Sequence, residues 1–116
     1  PIPPISALIQ GKSNIQFVNE QLKKAFEKLK IDDKKMYDLI SRAFSDIEEN
    51  AFCGIQIPKK LIPKEYIKKY GARNLWKYNL PDAWRLIYSI EGKNLLVFSI
   101  ILEWMDHKTY ERRFGY

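Results

Sequence analysis

The chain has 116 residues, a formal net charge of +6, 46% hydrophobic residues and 29% charged residues. That length fits one domain burying roughly two-thirds of its unfolded surface, and the composition excludes an intrinsically disordered protein. The longest apolar run, Leu95–Leu102, is far shorter than the roughly 20 residues of a membrane-spanning helix. We therefore expect a folded protein without a membrane partner.

Cysteine and histidine each occur once, as Cys53 and His107. This pair can form neither an internal disulfide nor a zinc site built from Cys and His ligands. No acidic cluster has metal-binding spacing and no glycine-rich phosphate loop is present, so we expect no metal and no small-molecule cofactor. The segment Pro1–Pro4 lacks the basic and apolar stretches of a signal peptide, which predicts a cytoplasmic location.

The net charge lies entirely in one half of the chain. Residues 1–58 contain eight basic and eight acidic side chains, whereas residues 59–116 contain twelve basic and six acidic side chains. A basic half joined to a neutral half is typical of a protein that binds a polyanion. A solvated lysine-rich surface gives the same pattern, so the charge alone leaves both interpretations open.

The N-terminal part of the chain is predicted to be an arm followed by a helix. Residues 1–12 contain three prolines and no hydrophobic periodicity, which predicts a disordered arm before a single domain over residues 13–116. Ser13 and Gln16 fit a capping box. Apolar residues at helical spacing then predict a helix from Asn14 to Lys30.

A second amphipathic helix is predicted directly after the first. Asp32 or Asp33 can cap its start, and it ends near Asn50–Gly54, where Gly54 suits a C-terminal cap or a turn. The short connection predicts that the two helices form an antiparallel hairpin. The apolar stripe of the second helix consists of Met36, Leu39, Ile40, Ala43, Phe44 and Ile47.

The second half of the chain is predicted to form most of a sheet. Two helices followed by these strands predict an α+β fold, in which an N-terminal helical hairpin packs on a small twisted antiparallel sheet with a short C-terminal helix. Glu91–Lys93 is predicted to be a tight turn. In chain order the predicted elements are an edge strand at Gly54–Ile57, a helix at Pro63–Tyr70, strands at Leu75–Leu80, Ala83–Ile90 and Leu95–Trp104, and a terminal helix at His107–Arg113.

Two basic residues of the predicted sheet are candidates for phosphate binding. Side chains alternate between the faces of a strand, so Lys77 and Arg85 lie on one face if their strands pair as a hairpin. A guanidinium binds phosphate through two parallel N–H donors, which predicts a phosphate role for Arg85. The alternative is an exposed Arg85 that pairs with Asp82 or Glu91.

The segment after the last predicted strand contains candidates for proton transfer. Histidine is the residue type that gains and loses a proton near neutral pH, and His107 shares a helical face with Tyr110. Together they could supply a general acid or base and a phenol, beside the cations Lys108, Arg112 and Arg113. The alternative is a structural role, with His107 paired with Asp106 or Glu103 and Tyr110 packed in the core.

The order of the elements and two of the segments resemble the RelE/ParE superfamily of toxins. Leu75–Ile90 resembles the middle hairpin of that family, where an aromatic–basic pair leads one strand and an aromatic-Arg-x-x-Tyr pattern marks the next. Leu95–Trp104, followed by His107 and Tyr110, resembles its last strand and terminal His/Arg…Tyr residues. The resemblance covers residues 14–116 and implies a RelE/ParE-like domain.

The resemblance implies the toxin of a type II toxin–antitoxin system, neutralised by a cognate antitoxin peptide. RNase members cut mRNA on the ribosome without a metal, by attack of the 2′-hydroxyl on the adjacent phosphate. Carried over by position, Lys77 would contact the phosphate or the 2′-oxygen, and Arg85 would stabilise the phosphorane charge. His107 or Tyr110 would transfer protons. A further cation would come from Lys108, Arg112 or Arg113.

The sequence departs from the RNase pattern at two positions. Asn79 stands where such members often have a second lysine, and Asp106 precedes the histidine where an arginine is expected. These departures leave two alternatives open. One is a non-catalytic protein of the same fold, such as a gyrase inhibitor or a degenerate toxin, and the other is a small basic nucleic-acid-binding protein.

Overall fold

The structure, a computed structural model, describes residues 11–93 and 96–115 and is an α+β domain. Short 3₁₀ turns connect several of its elements, and residues 1–10 of the predicted arm lie outside the described ranges. The elements are β1 (Asn14–Phe17), α1 (Glu20–Asp32), α2 (Lys34–Glu49), β2 (Ile55–Ile57), α3 (Lys64–Tyr70), β3 (Leu75–Leu80), β4 (Trp84–Lys93), β5 (Leu96–Asp106) and α4 (His107–Phe114).

The five strands form one mixed sheet in the order β1-β5-β4-β3-β2. The strands β2 to β5 pair antiparallel, as predicted, but β1 pairs parallel with β5, with Asn14 opposite Phe98. The prediction of an entirely antiparallel sheet is therefore wrong at one edge. Parallel neighbours need a long connection, and here the helices and three other strands separate β1 from β5 along the chain.

The first helix begins later than its predicted start at Asn14. Asn14–Phe17 is strand β1, and α1 begins at Glu20. The side chain of Asn19 caps this helix by accepting a hydrogen bond from the N–H of Leu22 at 2.8 Å. Four residues that alternate between polar and apolar fit a strand as well as the first turn of a helix. Periodicity alone therefore assigned Asn14–Phe17 to the wrong element.

The predicted capping role of Ser13 is also wrong. Its hydroxyl donates to the carbonyl of Ile47 at 2.9 Å and forms a hydrogen bond with the hydroxyl of Ser99 at 2.8 Å. Ser99 is fully buried on β5, and Ile47 lies in the last turn of α2. Ser13 therefore joins the start of the domain to the sheet and to the second helix.

The second helix follows its prediction closely. Asp33 caps it by accepting from the N–H of Met36 at 3.1 Å. All six residues of the predicted stripe are buried or partly buried, with Leu39 the partly exposed member. The helix ends at Glu49, and Gly54 is not its cap, because that glycine has an extended backbone with φ −79°.

Gly54 instead permits a close approach between β2 and its neighbours. A Cβ atom at this position would lie 2.6 Å from the carbonyl oxygen of Lys77 and 2.6 Å from the hydroxyl of Tyr88. The Tyr88 hydroxyl donates to the carbonyl of Ala51 at 2.6 Å and accepts from the N–H of Gly54 at 3.2 Å. The absence of a side chain at Gly54 is therefore required by packing.

Helices cover both faces of the sheet, and strand parity assigns the faces as predicted. We call the side covered by α1 and α2 the hairpin face and the side covered by α3 and α4 the α4 face. The hairpin face buries Leu80, Leu86, Tyr88 and Ile101 against α2. The α4 face buries Leu75, Ile87, Leu102 and Met105 against Tyr66, Tyr110 and Phe114.

A β-bulge lies between β4 and β5. Ile87 pairs with Glu103 and Tyr88 pairs with Ile101, which leaves Leu102 as the extra residue of β5. Leu102 packs in the α4-face core, and Glu103 contacts α4 on the same side. The bulge thus resets the alternation of β5 before the strand reaches α4.

The predicted turn at Glu91–Lys93 is wrong, because these residues continue β4 and Lys93 pairs with Leu96. Residues 94 and 95 lie outside the described ranges. Among the helices that the structure describes, none has the length and apolar character needed to cross a lipid bilayer.

Candidate functional site

Basic side chains from β3 and β4 lie on the α4 face. Lys77 pairs with Ile87 and Asn79 pairs with Arg85, so Lys77 and Arg85 lie on the same face of neighbouring strands. This confirms the predicted shared face. Trp84 pairs with Asp106 at the end of β5, which places the start of α4 beside Arg85.

The start of α4 is fixed by a helix cap. The carboxylate of Asp106 accepts a hydrogen bond from the N–H of Thr109 at 2.8 Å, and this bond lowers the pKa of Asp106. The helix ends at Gly115, which has a left-handed backbone with φ 76°. His107 is therefore the first helical residue after the sheet, held at the rim by the cap that precedes it.

Arg85 and His107 form a hydrogen bond with each other. The distance from the Arg85 Nη2 atom to the His107 Nδ1 atom is 3.2 Å. The Nη1 atom of Arg85 donates to the carbonyl of Trp84 at 3.0 Å, and its Nε atom is buried without an acceptor among the described residues. Neither bond goes to Asp82 or Glu91, the partners that the alternative interpretation gave to Arg85. A guanidinium has five N–H groups, so further N–H groups are left for a ligand.

The second ring nitrogen of His107 contacts the carboxylate of Glu111, one helical turn along α4. The imidazole is thus held between a guanidinium and a carboxylate. Its side chain is 44% exposed, so a ligand can reach it. The two acidic residues that the structural interpretation pairs with His107 have other partners, since Asp106 caps the helix and Glu103 pairs with Arg113.

Lys77 and Tyr110 also contact each other on this face. The Nζ atom of Lys77 lies 4.8 Å from the centroid of the Tyr110 ring, a cation–π distance. Tyr110 is only 1% exposed and stacks on Phe114 with ring centroids 4.5 Å apart. The tyrosine is therefore part of the α4-face core, and its ring supports Lys77.

The remaining predicted cations have different environments. Lys108 and Arg112 are exposed on α4, and Arg112 lies 3.4 Å from the hydroxyl of Thr109. Arg113 pairs with Glu103 and lines a small cavity with Tyr66. The structure therefore brings together Lys77, Arg85, His107 and Tyr110, whereas Arg113 is held by a carboxylate of its own.

The carboxylates around the site are each bound to a neighbour. Glu111 contacts His107, Glu103 contacts Arg113, and Asp106 caps α4. Within residues 11–93 and 96–115, no group of three His, Cys, Asp or Glu side chains is arranged to hold a metal ion. The surface of the site thus offers cations to an anionic ligand.

Sequence reasoning missed Glu111, although a signal for it was present. Residues four apart on a helix lie on the same face, and His107 and Glu111 have that spacing at the end of the chain. The prediction considered His107 with Tyr110 alone. The contact of Glu111 with the imidazole makes the carboxylate part of the site.

Tyr66, beside Arg113, leads to a test in alkaline solution. Burial raises the pKa of Tyr66 to about 12, while the Arg113 guanidinium acts in the opposite direction. A pKa raised in the folded state gives stability that is complete below about pH 10 and is lost as the pH rises towards 12. We expect the free energy of unfolding to fall more over this range in the wild type than in Tyr66→Phe, measured by urea denaturation. Equal slopes for both proteins would contradict the assignment.

Comparison with known proteins identifies no relative. No protein-family model matches the chain, and no curated protein matches it. No solved structure matches its fold either. A functional assignment therefore depends on the residues and on their geometry.

Proposed function

We propose that the protein is a toxin of a type II toxin–antitoxin system, a metal-independent mRNA endoribonuclease of the RelE/ParE kind that acts on the ribosome. The observation that carries the proposal is the Arg85–His107 pair, at 3.2 Å, on a face that also holds Lys77. Its partners would be mRNA, the ribosome and a cognate antitoxin peptide, and it would act in the cytoplasm.

Cleavage by 2′-hydroxyl attack requires a positive charge and a proton acceptor at the same phosphate. The 2′-oxygen gives up its proton to a base and forms a bond to phosphorus, the bond to the 5′-oxygen breaks as that oxygen takes up a proton from water, and the product carries a 2′,3′-cyclic phosphate. Negative charge develops on the phosphorane, where Arg85 and Lys77 would stabilise it. His107 would accept the proton of the 2′-hydroxyl, because its ring is half-exposed and lies next to Arg85.

The burial of Tyr110 supports assigning the proton transfer to His107 rather than to the tyrosine. A hydroxyl on a side chain that is 1% exposed cannot contact RNA unless α4 moves. The Tyr110 ring would instead hold Lys77 at the phosphate through the cation–π contact. Lys108 and Arg112, exposed on the same helix, would contact the RNA backbone farther from the cut.

A pair of variants tests these roles in a translating cell extract, with cut sites mapped by primer extension on a reporter message. We expect His107→Ala to reduce the cleavage rate by about 10²–10⁴-fold, the usual contribution of a general acid or base. Tyr110→Phe keeps the ring beneath Lys77 and should stay within about tenfold of the wild type. Intact messages with the wild-type protein would overturn the proposal, and full activity of His107→Ala would refute the role of the histidine.

A second candidate is a non-catalytic binding protein of the same fold. It is favoured by the state of His107, because both ring nitrogens already have partners in the protein. The uncharged Asn79 beside Arg85 favours it as well. This candidate predicts uncut mRNA on translating ribosomes, together with DNA damage or no phenotype. A small nucleic-acid-binding protein would instead show salt-dependent affinity for naked RNA or DNA.

A further inference from the structure

We propose that Glu111 is a positioning residue, which holds the His107 imidazole in the tautomer with hydrogen on Nε2 and keeps Nδ1 directed at Arg85. The tautomer follows from the hydrogen bonds alone. Its catalytic meaning rests on the proposed function, since Nδ1 would then be the basic atom that meets the RNA. The inference adds a carboxylate to a site otherwise described by its cations.

The donor and acceptor roles at His107 have one consistent solution. A guanidinium has only N–H donors, so the Nδ1 atom of His107 must accept the bond from Arg85 with its lone pair. A neutral imidazole then carries its hydrogen on Nε2. Nε2 faces the carboxylate of Glu111, which can only accept when ionised. The two contacts therefore require the same tautomer.

Charged side chains approach His107 from three elements of the fold. Arg85 approaches from β4 and Lys77 lies on the same face of β3, whereas Glu111 approaches from α4 itself. An imidazolium would direct an N–H at an N–H of Arg85, so protonation of Nδ1 requires the Arg85 bond to break. A phosphate that binds Arg85 would satisfy the guanidinium and free this lone pair beside the RNA.

The position of Glu111 on α4 indicates that its contact with His107 does little to stabilise the helix. Even with a charged ring, a cation that precedes an anion by four residues has the less favourable order for a helical ion pair. A carboxylate in the second half of a helix also lies nearer the negative end of the helix dipole. The acidic residue is thus placed where the helix gains little from it, but where His107 gains an acceptor.

Nuclear magnetic resonance of the imidazole tests the tautomer directly, because His107 is the only histidine of the chain. In long-range ¹H–¹⁵N spectra of the wild type, recorded at a pH where the ring is neutral, we expect hydrogen on Nε2 and a slowly exchanging Nε2–H signal. Glu111→Ala should lose the slow exchange, and Glu111→Gln should retain it because the amide oxygen accepts a hydrogen bond. Glu27→Ala, at an exposed glutamate of α1, should match the wild type.

Two outcomes of the spectra would overturn the inference. One is a wild-type ring with hydrogen on Nδ1, and the other is an Nε2–H signal that exchanges equally fast in the wild type and in Glu111→Ala. Alanine is a good helix former, so the alanine variant should fold, and circular dichroism checks this.

The cleavage assay separates this inference from the proposed function. We expect Glu111→Ala to lower kcat by about 10–100-fold with little change in KM, and Glu111→Gln to restore most of the loss. If wild-type protein does not cut RNA, the proposed function fails, and the spectra alone decide the role of Glu111. If the wild type cuts and Glu111→Ala cuts equally well after losing the slow exchange, the positioning role fails although the function stands.

Discussion

If the protein has the proposed activity, replacing Arg85 with alanine should reduce the rate of mRNA cleavage by about 10²–10³-fold, the usual loss when one donor to a developing negative charge is removed. The variant removes the cation beside His107 and also the donor that engages Nδ1. Arg85→Lys should recover only part of the rate, because an ammonium group cannot form the two parallel bonds of a guanidinium. Cut sites mapped on a reporter message in a translating extract provide the measurement.

The matched control for Arg85 is Arg42→Ala. Arg42 is exposed on α2, the helix that covers the hairpin face, so its loss removes the same charge from the other side of the sheet. We expect this variant to cut at nearly the wild-type rate. Equal losses in both variants would indicate a general effect of net charge on ribosome binding, and the specific role of Arg85 would be rejected.

Ile40→Ala should lower the free energy of unfolding by about 2–5 kcal/mol, the usual cost of truncating a buried aliphatic side chain. Ile40 is 0% exposed in the core between α2 and the hairpin face. Such a loss is a large share of the roughly 5–15 kcal/mol that stabilises a typical domain. Urea denaturation followed by circular dichroism measures the change.

The same substitution at Ile31 serves as the control. Ile31 is 88% exposed on α1, so Ile31→Ala removes no buried surface, and alanine favours the helix. Its effect should stay within about 0.5 kcal/mol. If the two variants lost equal stability, Ile40 would not be a core residue, and the packing of α2 against the sheet would need revision.

The parts of the fold that depend on local pattern were predictable. The stripe of α2 is a run of apolar residues at helical spacing, and burial of Ile40 and Ile47 follows from it directly. The bounds of β3 follow from alternation along a single strand, and the shared face of Lys77 and Arg85 follows from that alternation once the two strands pair as a hairpin. These features require no knowledge of distant residues.

Features that depend on distant partners were not predictable. Asn14–Phe17 becomes a strand because β5 offers it a parallel edge, and nothing within four residues distinguishes that outcome from a helix. Because of the bulge at Leu102, Glu103 lies on the α4 face and forms an ion pair with Arg113. Simple alternation along β5 does not predict this contact. Strand register is decided by tertiary packing rather than by local propensity.

In the candidate site too, some features follow from local sequence and others depend on distant partners. The cations were visible in the sequence, and so was the position of His107 at the rim of the sheet. The burial of Tyr110 was one of two alternatives that the sequence left open, because it depends on how α4 packs on Ile87 and Met105 across the sheet. Glu111 was missed for a different reason. It lies four residues after His107, a spacing that is visible in the sequence but was not considered.

The parallel pairing of β1 with β5 bears on how the protein is made. Asn14 lies opposite Phe98, so the first strand of the sheet meets its hydrogen-bond partner 84 residues later. Contacts between such distant residues form late, because a long loop must close before they are gained. During synthesis β1 leaves the ribosome long before β5, and α4 with His107 emerges after both strands. The cationic site is therefore assembled only once the ribosome has released nearly the whole domain.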